Sequence, residues 1–157
     1  MFLYDTFPPD LIMIGLEAED KDEAFEEMVD RFCHARKIRD REEILEALWY
    51  RESKMSTGIR QGIAIPHART KALDCVHGIL GISKKGIDYS ALDGEPVYIL
   101  FMILIPLTES EEHQRLLKRL AELLDDHHFY TDLLAQNNPH NANEVIKKYE
   151  EINLASE

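Results

Sequence analysis

The longest apolar run in the sequence is VYILFMILI, at residues 97–105, and it places the strongest constraint on the fold. Nine residues are too few to cross a bilayer as a helix, because such a helix needs about 20. A strand that is apolar at every position is typical of the centre of a sheet that is covered on both faces. We therefore expect a central strand with helices packed on each side, and no direct insertion into a membrane.

The remaining apolar positions alternate between strand-like and helix-like segments. Strands are predicted at 11–16, at 63–68 and from 76 to a turn at Lys84–Gly86; helices are predicted at 20–37, from Asp40 to about 52, from about Ser110, at 127–136 and at 141–152. Asp20 precedes Glu23 by three residues, which is a helix-capping pattern, and Asn141 or Asn143 is expected to cap the last helix. This alternation predicts an α/β or α+β domain with a mixed sheet flanked by helices.

Length and composition limit the classes of function. The 157 residues, 45% of them hydrophobic, suit a single domain with a real core. A net charge of -12 argues against a nucleic-acid partner. Two cysteines without metal-ligand spacing fit a reduced cytoplasm, and we expect no secretory signal, because Asp5 and Asp10 interrupt the N-terminus.

One stretch of the chain departs from this acidic character. Residues 51–85 carry seven basic and two acidic side chains, a net charge of +5, whereas both flanking regions are strongly negative. A basic neighbourhood of this kind favours a bound or transferred anion. Scattered surface lysines and arginines are the alternative interpretation.

Within this basic stretch lies the segment GIAIPHART, residues 62–70. Pro66 fixes its own backbone and biases Ile65 towards extended geometry, so that His67 is expected at a well-defined strand end. A neutral imidazole is available near pH 7 as a nucleophile; a hydrogen-bonded core histidine is the structural alternative. The preceding loop, STGIRQG, offers hydroxyls and backbone N–H groups of the kind that hold phosphate oxygens.

The segment RESKMSTGIRQGIAIPHA, residues 51–68, is similar to the signature of the bacterial phosphotransferase-system enzyme IIA domains of the fructose/mannitol type. The nitrogen-regulatory IIA proteins share that signature. The similarity continues through Pro106, His113 and LLKRLAELL to the closing EVIKKYEE. The resemblance therefore implies one domain over residues 1–157, with a core of about residues 5–150 and the fructose/mannitol IIA fold.

The resemblance also implies a mechanism and its residues. In the family, a histidine takes a phosphoryl group from the phosphohistidine of the carrier protein HPr and passes it to a cysteine of a IIB domain. Carried over to this sequence, the phosphoryl acceptor is His67, and His113 steadies the phosphoryl group. Arg51 offsets its charge and Thr57 contributes a hydroxyl contact. No metal or cofactor is expected, because the donor and the acceptor are side chains that docking aligns.

Three functions remain open from the sequence. The first is a cytoplasmic phosphotransferase component that feeds a IIB domain for sugar uptake. The second is a nitrogen-type regulator, in which the phosphorylation of His67 controls binding to target proteins. The third is a non-catalytic interaction module with a structural His67.

Overall fold

The apolar run forms the central strand of the sheet in a computed structural model that describes residues 1–108 and 111–156. The strands are β1 (Ile12–Ile14), β2 (Gly58–Arg60), β3 (Ile63–Ala64), β4 (His67–Thr70), β5 (His77–Ile87) and β6 (Val97–Pro106). The helices are α1 (Leu3–Thr6), α2 (Lys21–Arg36), α3 (Arg41–Glu52), α4 (Glu111–Leu124), α5 (His127–Leu134) and α6 (Pro139–Ala155), with a 3₁₀ turn at Pro9–Leu11.

In the described part of the chain, these six strands make one mixed sheet in the order β1–β5–β6–β3–β2, and β4 pairs with β6 beyond β3. Strand β6 is parallel to β3 and β4 and antiparallel to β5, and β1 is parallel to β5. The predicted mixed sheet with a central apolar strand is confirmed. The register sets His67 opposite Ile103 of β6 and therefore fixes the place of the histidine at the edge of the sheet.

The sheet separates two hydrophobic cores, because side chains alternate between the two faces of a strand. Leu100, Met102 and Leu104 of β6 pack with α2 and α3 on one face. Ile99, Phe101 and Ile103 pack with α4, α5 and α6 on the other. All six side chains are at most 1% exposed. Helices on both faces are what an apolar strand of this kind requires.

One helix cap predicted from the sequence is confirmed, and other helix starts differ from their predictions. The Asp20 side chain accepts a 2.9 Å hydrogen bond from the Glu23 N–H, as predicted. In the described structure Asp40 precedes α3 without a side-chain cap bond. Helix α6 begins at Pro139, two residues before the predicted start, because Asn138 caps it by accepting from Asn141 N–H at 2.8 Å. The predicted start of α4, about Ser110, lies outside the described residues.

The turn predicted at Lys84–Gly86 is wrong. Strand β5 runs through these residues, and its pairing with β6 shifts register between Ile82 and Ile87. Gly86 has a φ of 90°, and its N–H donates to the Ser83 hydroxyl at 3.0 Å. The glycine therefore makes a bulge within the strand instead of ending it.

The N-terminal segment is tied to the last helix. The buried carboxylate of Glu150 accepts from the N–H of Leu3 at 2.7 Å, and the Asn143 side chain donates to the carbonyl groups of Tyr4 and Phe7. Asn143, a candidate cap from the sequence, is therefore an anchor for the N-terminus. Across residues 1–108 and 111–156, no helix has the length and apolarity needed to span a bilayer.

Candidate functional site

His67 begins a strand instead of ending one. The sequence predicted one strand over residues 63–68, whereas the structure has β3 and β4, separated by Ile65 and Pro66. Proline has no N–H to give to a sheet, and the pairing resumes where the Pro66 carbonyl accepts from Ile103 N–H at 2.9 Å. His67 follows at once, half-buried, at a position that this break and the β4–β6 pairing both define.

A backbone hydrogen bond assigns the tautomer of the His67 ring. Its Nδ1 lies 2.8 Å from the carbonyl oxygen of Ile65. A carbonyl oxygen can only accept, so Nδ1 carries the proton and donates it. In the neutral ring the lone pair is therefore on Nε2, and Nε2 is the nitrogen that can act as a nucleophile.

The surroundings also keep this ring neutral. Burial is the largest cause that lowers the pKa of His67 below its ordinary value of 6.5, and the charge of Arg51 and the nearby His113 act in the same direction. The hydrogen bond to Ile65 and the charge of Glu52 oppose them without reversing the direction. At pH 7 most of the His67 population is therefore uncharged.

His67 lies in a cleft of about 400 Å³ that also contains His113 and Arg51. Among the described residues, the lining is Ala47, Tyr50, Arg51, Lys54, His67, Ala68, Arg69, Ile105, Leu107 and His113. Three of the four residues that the resemblance singled out thus meet at one site. They come from the end of α3, the start of β4 and the first turn of α4.

The Arg51 side chain is held by the loop that follows its helix. Its Nη1 donates to the carbonyl oxygen of Met55 at 3.0 Å. A guanidinium group has five N–H donors, and this bond engages one of them. The charge is therefore anchored at the wall of the cleft, with donors remaining for an anion.

His113 is buried, with 8% of its surface exposed, although its place in the first turn of a helix is one where solvated histidines are common. Arg69 reaches it from β4: Nη2 lies 3.4 Å from His113 Nε2, and Nη1 donates to the Leu107 carbonyl at 3.4 Å. A guanidinium group only donates, so His113 accepts this contact with Nε2.

Arg69 and Lys54 also line the cleft, and in the sequence they stand out only as two of the seven basic residues of the 51–85 stretch. Arg69 is two positions after His67 on the same strand, and residues two apart on a strand share a face. Lys54 follows Arg51 by three residues and also lines the cleft. The strand period was the signal that could have identified Arg69; the turn after α3, which sets Lys54, has no comparable pattern.

Thr57, the fourth expected residue, is buried and is not among the described residues that line the cleft. It is 3% exposed, and its hydroxyl donates to Glu52 Oε1 at 2.7 Å and lies 2.7 Å from the Tyr89 hydroxyl. Its side chain belongs to a buried hydrogen-bond network and is outside the cleft lining as described. A direct contact between this hydroxyl and a phosphoryl oxygen stays a prediction, and the present geometry gives Thr57 a different set of partners.

The other histidines and the cysteines lie elsewhere. His127 and His128 are exposed, His77 packs against the Phe32 ring, and Cys75 is exposed beside His77. Over residues 1–108 and 111–156, no group of three or more His, Cys, Asp or Glu side chains is arranged to hold a metal ion.

The domain is a sheet with helices on both faces and has a basic cleft around His67 that suits an anion. Comparison with known families gives its class. Residues 5–149 match the family described as "Phosphoenolpyruvate-dependent sugar phosphotransferase system, EIIA 2". The chain therefore belongs to the EIIA type 2 family of the phosphotransferase system. The family assignment made from residues 51–68 is confirmed.

Relatives within the family have two kinds of name. The chain is 37% identical to the fructose-specific EIIA component of Haloferax volcanii, over 74% of this chain and 76% of that protein. It is 29% identical to a nitrogen regulatory protein of Bradyrhizobium diazoefficiens, over 80% of this chain and 82% of that one. It is also 41% identical to the fructose-specific EIIABC component of Bacillus subtilis, over 72% of this chain but 18% of that protein.

Solved structures show the same fold. The nitrogen regulatory protein IIA-Ntr of Neisseria meningitidis superposes with a TM-score of 0.85 at 26% identity, covering 92% of this chain and 98% of that one. Enzyme IIA of the mannitol system of Escherichia coli, solved in complex with phosphorylated enzyme IIB, superposes with a TM-score of 0.76 at 17% identity, covering 90% and 97%. The expected fructose/mannitol IIA fold is confirmed.

Proposed function

We propose that this protein accepts a phosphoryl group on Nε2 of His67 from the phosphohistidine of an HPr-like carrier. It then passes the group to a cysteine of a IIB domain for sugar uptake. One observation carries the proposal. The His67 imidazole, whose Nδ1–H donates a hydrogen bond to the Ile65 carbonyl, lies in one cleft with Arg51, Arg69 and His113. The transfer also requires this protein to dock with the carrier and then with the IIB domain. We propose that both contacts take place in the cytoplasm.

The first step needs only side chains. The lone pair of His67 Nε2 attacks the phosphorus of the carrier phosphohistidine, the new N–P bond forms, and the old one breaks with its electron pair returning to the carrier nitrogen. Such transfers have a loose, in-line transition state with charge on the equatorial oxygens. The protein contributes positioning and charge compensation, which Arg51, Arg69 and His113 are arranged to supply.

The second step reverses these roles. A cysteine thiolate of the IIB domain attacks the same phosphorus, and the electron pair of the N–P bond returns to Nε2. A phosphoryl group brings about two negative charges to a cleft in which Arg51, Lys54 and Arg69 are basic. Each charge-assisted hydrogen bond to a phosphoryl oxygen stabilises the phosphohistidine by roughly 1.5–3 kcal/mol. These bonds offset the charge of the phosphoryl group without a metal ion.

The rim of the cleft supports a partner-docking role. Two apolar side chains of the cleft wall are largely exposed, Tyr50 by 67% and Leu107 by 56%. In the loop beside the wall, Met55 is 59% exposed. Exposed apolar side chains around a charged centre are the composition of a protein–protein contact. A partner pressed against them would exclude water from the phosphorus during the transfer.

A nitrogen-type regulatory role is the second candidate, and the similarity to nitrogen regulatory proteins across most of both chains favours it. It uses the same phosphorylation of His67 and differs in the receiver. Transfer from phosphorylated protein to a purified fructose-type IIB cysteine separates the two. Rapid transfer supports sugar uptake; a phosphoryl group that stays on His67 supports regulation.

The experiment that tests the shared step is intact-mass spectrometry after incubation with phosphoenolpyruvate, enzyme I and HPr. We expect a gain of about 80 Da, one phosphoryl group, which acid removes and which His67→Ala abolishes. His128→Ala, a change at an exposed histidine outside the described cleft lining, is the matched control and should gain the same mass. No mass gain in the wild type would leave the non-catalytic interaction module as the better account.

A further inference from the structure

The side chain of Glu52 is a buried carboxylate next to the cleft, and it is surrounded by donors. It is 7% exposed. It accepts from Thr57 N–H at 2.8 Å, from the Thr57 hydroxyl at 2.7 Å, from Lys21 Nζ at 3.0 Å and from the Tyr89 hydroxyl at 3.4 Å. Burying a charge is costly unless it is paired and hydrogen-bonded. This site satisfies the carboxylate from three separate parts of the chain.

From Glu52 a continuous series of hydrogen bonds leads to the reactive ring. Glu52 holds the backbone N–H of Thr57, the carbonyl of Thr57 accepts from Ile65 N–H at 3.0 Å, and the carbonyl of Ile65 accepts from His67 Nδ1 at 2.8 Å. The N–H and the carbonyl of one residue belong to two planar peptide units that share a Cα, so a hydrogen bond that holds one unit restrains the next. The place of the Thr57 backbone therefore helps to set the carbonyl that fixes the tautomer of His67.

Glu52 is also linked to the part of the cleft wall that Arg51 forms. It is the last residue of α3 and follows Arg51 directly. The loop that leaves it passes Met55, the partner of the Arg51 guanidinium, before it reaches Thr57. One carboxylate thus closes residues 52–57 into a compact loop that carries the arginine at one end and supports the histidine at the other.

The opposite charge is supplied by α2. Lys21, in the first turn of that helix, bonds Glu52 and lies 4.6 Å from the centre of the Tyr89 ring. The side chains of Lys21 and Glu52 are 15% and 4% exposed, so the pair is largely withdrawn from water. Such a pair is a weak argument for stability, since apolar residues of similar volume often serve as well. Its position beside the cleft suggests a role other than stability.

We propose that Glu52 is a positioning residue for phosphoryl transfer, which holds the Thr57 backbone so that Ile65 keeps the proton on Nδ1 of His67 and Nε2 faces the phosphoryl donor. The inference rests on the proposed function of His67. It also gives Thr57 a role through the network, in place of direct contact with the phosphoryl group.

The test separates positioning from mere structural support. The variant is the double substitution Lys21→Met with Glu52→Leu, which replaces the ion pair by apolar side chains and is expected to fold. Glu52→Gln is the conservative partner, because its amide can still accept from the Thr57 N–H and donate to the Thr57 hydroxyl. Glu46→Ala, an exposed carboxylate on the same helix, is the matched control.

Three quantities are measured for each variant: the melting temperature, the tautomer of His67 from long-range ¹H–¹⁵N correlation spectra, and the rate of mass gain with phospho-HPr. We expect the wild type, Glu46→Ala and Glu52→Gln to have the Nδ1–H tautomer. In the double variant we expect a mixture of tautomers and a rate that is lower by about tenfold to a hundredfold, the usual effect of a displaced reacting group. Glu52→Gln should retain a rate within a few-fold of the wild type.

The outcomes are distinct. A folded double variant with the wild-type tautomer, or with the wild-type rate, overturns the proposal. If the double variant does not fold, Thr57→Val is measured instead, because it removes the hydrogen bond from the Thr57 hydroxyl to Glu52. It should give a smaller change in the His67 tautomer and in the rate of mass gain. An unchanged tautomer and rate in Thr57→Val also overturn the proposal. If the wild type itself gains no mass, the proposed function fails, whereas a failure of the Glu52 proposal leaves wild-type phosphorylation intact.

Discussion

Replacing Arg51 by glutamine tests how the cleft accommodates a phosphoryl group. The guanidinium uses one donor on Met55 and faces the cleft with the rest, so that the substitution removes a charge and its charge-assisted contacts without altering the helix. One such contact contributes roughly 1.5–3 kcal/mol. Since about 1.4 kcal/mol is tenfold in a rate, Arg51→Gln should lower the rate of phosphoryl acceptance by about tenfold to a hundredfold.

A change in the protonation of His67 cannot account for a loss of that size. The charge of Arg51 lowers the pKa of His67, so its removal raises that pKa towards the ordinary 6.5. Even at 6.5, about three quarters of the imidazole is neutral at pH 7, so protonation alone reduces the rate by less than about 1.5-fold. The greater part of the effect must come from interaction with the phosphoryl group itself.

Two assays check this reasoning independently. Time-resolved mass spectrometry with phospho-HPr gives the rate, and an NMR titration of the His67 ring protons gives the pKa. Arg60→Gln is the matched control, because it removes the same charge from the end of β2, where the guanidinium pairs with Asp125 at 2.7 Å outside the cleft lining. An Arg51→Gln rate within twofold of the wild type, with an unshifted His67 pKa, would refute the argument.

Three further predictions concern the same cleft. His113→Ala should still accept a phosphoryl group but pass it to a IIB cysteine about tenfold more slowly, because the Arg69 guanidinium loses its hydrogen bond to His113 Nε2 and with it its position at the cleft. Mass transfer measures the rate, and an unchanged rate would remove His113 from the mechanism. The His67 ring should titrate below pH 6.5 by NMR, and since its folded pKa is lower than the unfolded one, the free energy of unfolding from urea titrations should decrease as the pH falls through 6.5; a midpoint above 6.5 would contradict this. Leu107→Ser, at a side chain 56% exposed, should raise the KM for phospho-HPr while the melting temperature stays constant; an unchanged KM would exclude Leu107 from the docking surface.

The parts of the fold that the sequence predicts are those with a local cause. The apolar run at 97–105 requires a covered strand, and Asp20 with Glu23 is a cap that needs only four residues to form. The bulge at Gly86 was missed because it depends on pairing with β6. The early start of α6 has a local cause, since Asn138 caps it and Pro139 follows, and this signal was present in the sequence. The anchoring of the N-terminus by Glu150 joins residues almost 150 positions apart, and no periodicity signals it.

The candidate site divides in the same way. Arg51, His67 and His113 were found through the resemblance of a long motif, and the structure gathers them in one cleft. Arg69 could have been found from the period of a strand. The partners of Thr57 could not, because Tyr89 lies 32 residues away and meets it only after the sheet has formed.

The central claim is that Ile65 holds the proton on Nδ1 of His67 and leaves Nε2 to bond to phosphorus. The measurement that tests it most directly is a ¹H–¹⁵N and ³¹P NMR study of the protein labelled in its histidines, after phosphorylation by phospho-HPr. We predict phosphorus attached to Nε2 of His67 and a proton retained on Nδ1. Phosphorus on Nδ1, or on any other residue, would contradict the account.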